Sequence, residues 1–101
     1  MANILQAKTN VLKILADPSR YRILEILTES SGKLCVGDIA EKTGCTQSAV
    51  SHQLSKLESA EIIKPLRKGQ QVCYILEDNE QVSLITKIMK ILNNKRFYYK
   101  N

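Results

Sequence analysis

The sequence predicts a mainly α-helical fold with one small β-hairpin, in the order α-α-α-α-β-β-α. Three observations lead to this prediction. Apolar residues recur every three or four positions along five stretches, which is the spacing of one helix face. Two short runs, at residues 62–67 and 71–76, are instead rich in β-prone residues. Residues that cap or end helices lie at the junctions between these stretches.

The first two helices are predicted from Ala2 to Leu15 and from Pro18 to Thr28. Asp17 suits the N-cap of the second helix, and Pro18 suits its first position, where the missing N–H costs no hydrogen bond. In these two stretches the apolar residues recur every three or four positions, as on one face of a helix. They are Ile4, Ala7, Val11, Leu12, Leu15, Tyr21, Ile23, Leu24 and Leu27. Asp17-Pro18 therefore marks the point where the second helix begins.

A brief extended link from Lys33 to Val36 is expected before the third helix, which runs from Val36 to Thr43 and is ended by Gly44. Thr46 can cap a fourth helix from Gln47 to Ala60. The residues of the fourth helix predicted to face inward are Val50, Leu54 and Leu57. The sequence therefore predicts that a three-residue turn separates the third helix from the fourth.

The hairpin is predicted from Ile62–Arg67 and Gln71–Leu76, joined at Lys68-Gly69-Gln70. A final helix is predicted from Asp78 to Asn94. Its inward residues are expected to be Val82, Ile85, Ile88, Met89 and Leu92. The hairpin thus separates the last helix from the other four.

The third and fourth helices have the spacing of a helix-turn-helix motif. Ala40 is small, Gly44 follows four positions later, and the branched Val50 follows six positions after that. Two helices that cross steeply need a small residue where they meet, and the turn needs a residue that tolerates a positive φ. The second helix needs a branched residue that packs on the first. With the hairpin that follows, the prediction is a winged helix-turn-helix fold.

The outward face of the fourth helix carries short or neutral hydrogen-bonding side chains, where a merely solvated helix usually carries Glu and Lys. Such groups suit base edges and phosphates, and the hairpin tip adds basic residues that suit a DNA backbone or minor groove. The predicted DNA contacts are Thr46, Gln47, Ser48, Ser51, His52, Gln53, Arg67, Lys68 and Gln70. The sequence therefore predicts binding to double-stranded DNA.

Length and composition are compatible with this prediction. The 101 residues are the size of one domain, so residues 1–101 are treated as a single DNA-binding unit. Fifteen Lys and Arg against ten Asp and Glu give a formal charge of +5, which favours a polyanionic partner. Three cysteines without close pairing, no signal peptide and no apolar run of about 18 residues predict a cytoplasmic protein with no membrane segment.

Three segments resemble the ArsR/SmtB family of bacterial and archaeal repressors. They are Leu15-Ala16-Asp17-Pro18-Ser19-Arg20, Leu34-Cys35-Val36-Gly37-Asp38-Ile39, and the run from Thr46 to Leu57 continued by Arg67-Lys68-Gly69-Gln70 and Tyr74. The resemblance covers roughly residues 11–78. It implies a homodimeric winged-helix repressor whose first and last helices form the dimer interface, released from operator DNA by a metal ion or another chemical signal.

The metal sites of that family are incomplete in this sequence. Metal-sensing relatives of the arsenic and cadmium type carry a second cysteine at the position of Gly37, and soft metals need several converging thiolates. The family's other site, counted from Asp78, places Glu80, Ile91 and Asn94 at the remaining ligand positions. No metal cofactor is therefore predicted with a complete ligand set.

Cys35 is the candidate thiol sensor because it lies near a helix N-terminus, where a thiolate is favoured. It could act with Cys45 or Cys73, although both of those are also explained as small buried apolar residues. Relatives that sense persulfide have one of two cysteines in the last helix, where this sequence has none. A repressor with no small-molecule site is an equal alternative.

Two other functions are considered. A winged-helix module for protein–protein contact is the main alternative, which the polar, acid-poor face of the fourth helix argues against. An enzyme is not predicted, because no nucleophile–base pair or phosphate-binding glycine loop is visible and His52 is the only histidine. The tail from Lys95 to Lys100 mixes basic and aromatic residues and suits a frayed helix end, dimer packing or nucleic-acid contact.

Overall fold

The computed structural model describes residues 3–30 and 33–98, and its element order agrees with the predicted mainly helical fold. The helices and strands are, in chain order, α1 (Ile4–Ala16), α2 (Pro18–Glu29), β1 (Leu34–Cys35), α3 (Val36–Thr43), α4 (Gln47–Ser59), β2 (Ile63–Lys68), β3 (Gln71–Leu76), α5 (Glu80–Leu92) and α6 (Lys95–Tyr98). The structure adds two short elements, β1 and α6, to those predicted.

The beginning of α2 is fixed by the two residues that the sequence singled out. The Asp17 carboxylate accepts a hydrogen bond from the backbone N–H of Arg20 at 2.9 Å, and Pro18 occupies the first turn. An N-cap of this kind satisfies one of the four N–H groups that a helix start leaves without a partner. Asp17 also ends α1, so the two helices are joined without a loop.

The turn between α3 and α4 has the predicted geometry. Gly44 has φ +73°, and its N–H donates to the carbonyl oxygen of Ala40 at 2.9 Å. A residue with a side chain adopts this left-handed conformation only at a cost in free energy. The Thr46 hydroxyl oxygen then accepts from the N–H of Ala49 at 3.1 Å and caps α4. The steep change of chain direction therefore rests on two local signals.

The sheet is three-stranded and antiparallel, with the order β1-β3-β2. β2 pairs with β3 from Ile63 opposite Leu76 to Lys68 opposite Gln71, which leaves a two-residue hairpin loop. Gly69 has φ +60° as the first of these two residues, as type II′ hairpins require. The segment expected to be a simple extended link instead forms β1, which pairs with β3. Its pairing partner lies far along the chain, so no local pattern reports it.

One apolar core joins every long helix to the sheet. Its members are Val11, Leu15, Ile23, Leu24, Leu27, Ile39, Ala40, Val50, Leu54, Leu57, Ile62, Ile63, Val82, Ile85 and Met89. This confirms the inward residues predicted for α4. Tyr21 and Ile88 are only partly buried against the core, and the prediction that Leu92 faces inward is wrong, since it is 42% exposed.

Several large apolar side chains remain exposed on the first and last helices. They are Ile4, Leu5 and Leu12 on α1, Leu84, Ile91 and Leu92 on α5, and Phe97 and Tyr98 on α6. Single exposed apolar residues are ordinary, but a set concentrated on a few helices is typical of an interaction surface. Within residues 3–30 and 33–98, no helix combines the length and apolar character needed to cross a membrane.

The last predicted helix is divided into two. α5 begins after Asn79, whose side chain accepts from the N–H of Val82 at 2.9 Å, so the helix starts two residues later than predicted. It ends at Leu92, and the Asn94 side chain accepts from the N–H of Arg96 at 3.1 Å where α6 begins. Asparagine side chains that bond to nearby backbone compete with a continuous helix. Of the basic aromatic tail, Tyr99 and Lys100 lie outside the described residues.

Candidate nucleic-acid interface

Helix α4 has one buried face and one exposed polar face. Val50, Leu54 and Leu57 are at most 1% exposed and anchor the helix to the core. The side chains of Gln47, Ser48, Ser51, His52 and Ser55 are exposed on the other side. The only charged residues of the helix, Lys56 and Glu58, lie in its C-terminal half. The N-terminal half therefore presents a surface of hydrogen-bonding groups that contains no Asp, Glu, Lys or Arg.

Thr46 lies at the start of this surface and is exposed. Its hydroxyl oxygen is occupied as the acceptor in the N-cap, while the hydroxyl hydrogen is still able to donate. The positive end of the helix dipole adds to this site. A phosphate oxygen is the group that such a site suits best.

The structure corrects the expectation that Gln53 faces outward. This side chain is half-buried, and its amide nitrogen donates to the Asp17 carboxylate at 3.1 Å. Its amide oxygen accepts from the Arg20 guanidinium at 3.4 Å. Both ends of the amide are thus engaged with the start of α2. Gln53 orients α4, and its contact with DNA stays a prediction.

Arg20 was not predicted as a functional residue, yet it connects three helices. Its guanidinium donates to the carbonyl oxygens of Lys13 at 2.9 Å and Ile14 at 3.2 Å, at the C-terminal end of α1. Hydrogen bonds from a charged group are stronger than neutral ones, and a cation is favoured at a helix C-terminus. Through Gln53 the same guanidinium reaches α4. The available signal was the segment Leu15–Arg20, which carried the family resemblance.

The wing is defined here as residues 63–76, the two strands β2 and β3 with their loop. Arg67 and Gln70 are exposed near its tip, as predicted for residues that approach a nucleic acid. The backbone of Lys68 ends β2, but its side chain lies outside the described part of the structure. At the opposite end of the wing, Lys64 forms an ion pair with Glu77 at 3.9 Å. Among the described side chains, the Arg67 guanidinium therefore lies toward the tip, away from this ion pair.

Tyr74 lies in the middle of β3 and is half-buried. Burial raises the pKa of its hydroxyl above the usual value, and the Glu58 carboxylate raises that pKa further, while Arg67 opposes the shift. The phenol therefore remains neutral at physiological pH and adds no negative charge beside the wing.

The three cysteines fall into two environments. Cys35 and Cys73 are opposite each other in β1 and β3 and are joined by a disulfide. Cys73 is buried, as expected for a small apolar residue, whereas Cys45 is free and exposed, which corrects that expectation for Cys45. Of the two partners considered for Cys35, the structure selects Cys73.

The predicted metal positions do not form a cluster. Within residues 3–30 and 33–98, no group of three or more His, Cys, Asp and Glu side chains is arranged to hold a metal ion. Ile91, which occupies one family ligand position, is 72% exposed and has no donor atom. Neither family metal site can be assembled from these residues within one chain.

Comparison with known proteins identifies the family. Residues 17–64 match the family model described as bacterial regulatory protein, arsR family. The chain is 36% identical over 84 residues to the transcriptional repressor SdpR of Bacillus subtilis (strain 168), covering 83% of this chain and 91% of the repressor. The chain belongs to the ArsR family. This membership confirms the predicted class, a DNA-binding transcriptional regulator and not an enzyme.

Solved structures of similar proteins support the winged helix-turn-helix fold of this ArsR-family chain. The AntR antimony-specific transcriptional repressor has a TM-score of 0.76 and 28% identity, with 91% of this chain and 82% of that chain covered. The homodimeric winged helix-turn-helix domain Mb0332 of Mycobacterium bovis has a TM-score of 0.77 and 23% identity, with 97% and 89% covered. The predicted fold is confirmed by both.

Proposed function

We propose that this chain is a homodimeric, sequence-specific transcriptional repressor that acts in the cytoplasm. In this proposal the N-terminal half of α4 enters the major groove of operator DNA, and the wing follows the adjacent backbone or minor groove. Two copies present two such helices to successive major grooves.

The observation that carries the proposal is the exposed face of α4. Gln47, Ser48, Ser51 and His52 offer both donors and acceptors, which is what discrimination between base edges requires. Their positions are fixed because the opposite face of the helix is fully buried. Because the helix backbone is already ordered, DNA binding has to order only the side chains.

The wing supplies the contacts that do not depend on base sequence. Arg67, Lys68 and Gln70 are the proposed contacts to phosphate or the minor groove, and a net charge of +5 favours association with a polyanion. Each phosphate neutralised by a basic side chain releases counterions, so binding weakens with salt.

The exposed apolar residues of α1, α5 and α6 are the proposed dimer interface. A second copy of the chain is sufficient to bury these apolar residues away from water. The Mycobacterium bovis neighbour is described as homodimeric, which supports the same assembly for this chain. A two-fold dimer requires a pseudo-palindromic operator.

A salt-titrated binding assay with double-stranded DNA tests the proposal. We expect the affinity to fall by about 100-fold or more between about 50 and 200 mM salt. At fixed salt, Ser51→Ala and His52→Ala are each expected to weaken binding by about tenfold, as loss of a base contact does. Ser83→Ala removes an exposed hydroxyl from α5 and serves as the matched control.

The opposing outcome is equally definite. If DNA binding is absent, or is insensitive to salt and to both α4 substitutions, the repressor proposal is wrong.

A further inference from the structure

The disulfide between Cys35 and Cys73 connects parts of the interface that are distant in the sequence. The two residues are 38 positions apart and are Cα partners in the antiparallel pairing of β1 with β3. Everything that the proposed function uses to contact bases lies between them, since α3, α4 and β2 are all enclosed by this bond. The bond closes a covalent loop that contains the helix-turn-helix.

The bond also attaches the wing to the start of α3. Cys35 is the N-cap residue of α3, and its backbone N–H donates to the Asp38 carboxylate at 3.3 Å. Cys73 lies in the central strand of the sheet and is 1% exposed. Breaking this bond therefore loosens the connection between the wing and the helix-turn-helix.

The base of the wing is held by the apolar core, in which Ile63 is buried, but its direct connection to the start of α3 is short. β1 contributes only two residue pairs to β3, whereas β2 and β3 share six. The hairpin is thus well paired internally, but its attachment to α3 depends on a two-residue strand. A two-residue strand makes few ladder hydrogen bonds, so the covalent link strengthens this direct connection between β3 and the start of α3.

The pair borders the proposed DNA surface. A groove of about 670 Å³ lies among the first turns of α3 and α4 and the wing, and its walls include Cys35, Gln47, Ser51 and Gln71. The Cys35 sulfur lies 3.9 Å from the Gln71 amide oxygen. Two of the proposed base-contacting residues of α4 therefore share a groove with one sulfur of the pair.

We propose that Cys35 and Cys73 are a reversible thiol–disulfide pair that controls how firmly the wing is held beside α4, and that the disulfide form binds operator DNA more tightly. This inference rests on the proposed function. Fixing the wing before binding removes part of the ordering cost that DNA binding otherwise includes. Reduction releases the wing from α3 and restores that cost.

The oxidant is a peroxide, and the chemistry balances. The half-buried Cys35 thiolate attacks the peroxide oxygen to give a sulfenic acid, with hydroxide as the leaving group. The Cys73 sulfur then attacks the Cys35 sulfur, which forms the S–S bond and expels the sulfenic oxygen as water. Two thiols and one hydrogen peroxide thus give one disulfide and two waters. A small dithiol reverses the reaction by thiol–disulfide exchange and is itself oxidised to its disulfide.

The first test is the mass of the intact full-length chain, first reduced with a dithiol and then treated with hydrogen peroxide. We expect a loss of about 2 Da, from two thiol hydrogens, within one chain. Cys35→Ser is expected to prevent this loss, and Cys45→Ser is the matched control that retains it. Because Cys73 is buried, it is replaced both by Ser and by the apolar Ala, and both variants are expected to prevent the loss of mass. A native chain that loses no mass, or that pairs through Cys45 or between chains, overturns the proposal.

The second test compares the two states of the native chain. The disulfide form is expected to melt about 10 °C or more above the dithiol form and to bind DNA about threefold or more tightly. Cys35→Ser is expected to bind like the dithiol form with or without peroxide. Equal DNA affinity in both states overturns the control of the wing and leaves the proposed function intact. Loss of DNA binding in both states contradicts the proposed function, while the mass measurement still decides whether the pair forms.

Discussion

Replacing Leu54 with alanine is expected to lower the free energy of unfolding by about 2–5 kcal/mol. Leu54 is fully buried and lies on the inner face of α4, so the shorter side chain removes apolar contacts and leaves a cavity in the core. A domain of this size has about 5–15 kcal/mol of stability in total, so the loss is a large fraction of it. Urea-induced unfolding followed by circular dichroism at one fixed protein concentration measures the change.

The matched control is Ser55→Ala, which alters the next residue of the same helix on its exposed side. We expect this change to stay within about 0.5 kcal/mol of the native value. Equal stabilities for the two variants would mean that α4 is not anchored through Leu54, and the fixed geometry of the DNA surface would lose its basis.

Placing a carboxylate at Ile91 is expected to separate the proposed dimer and to weaken operator binding by about 100-fold or more. Ile91 is 72% exposed in the single chain, so Ile91→Glu removes little of the monomer's own packing. In a two-fold interface each substitution appears twice, so dimer formation would have to remove two carboxylates from water, which costs free energy. Separated chains also lose the simultaneous contact of two half-sites. Analytical ultracentrifugation and DNA titration measure the two effects.

Ser83→Glu is the matched control for this variant because it makes the same change in net charge on the exposed surface of α5. It is expected to remain dimeric and to bind DNA nearly as the native chain does. A dimer that survives Ile91→Glu unchanged would contradict the placement of Ile91 in the interface.

The ends of the central helices could be predicted from the sequence because each is fixed by a local signal. The Asp17 cap, the positive φ of Gly44 and the Thr46 cap all act within three or four residues of their own position. The start of α2, the end of α3 and the start of α4 were therefore predicted to the residue. The burial of Val50 follows from helical spacing in the same way.

Features that depend on distant residues were not predicted. β1 is only two residues long and has no periodicity of its own, since it exists through its pairing with β3. The choice of Cys73 as the partner of Cys35 depends on that same register. Gln53 lies at the edge of the polar face, and its inward orientation is decided by Asp17 and Arg20 from another helix.

The exposed apolar residues of α1 illustrate a different limit. Helical spacing grouped Ile4 and Leu12 with Val11 and Leu15, but only the second pair is buried within one chain. Periodicity identifies apolar positions on a helix and does not distinguish the chain's own core from a second subunit. The proposed homodimer accounts for the difference.

Selection of bound sequences from a random pool of double-stranded DNA tests the central claim most directly. A homodimer that places one α4 in each of two successive major grooves is expected to enrich an inverted repeat with half-site centres about 10–10.5 base pairs apart or at a multiple of that distance. Enrichment should be lost with His52→Ala at the contacted positions. A pool that remains unenriched, or that yields a single unrepeated site, would contradict the account.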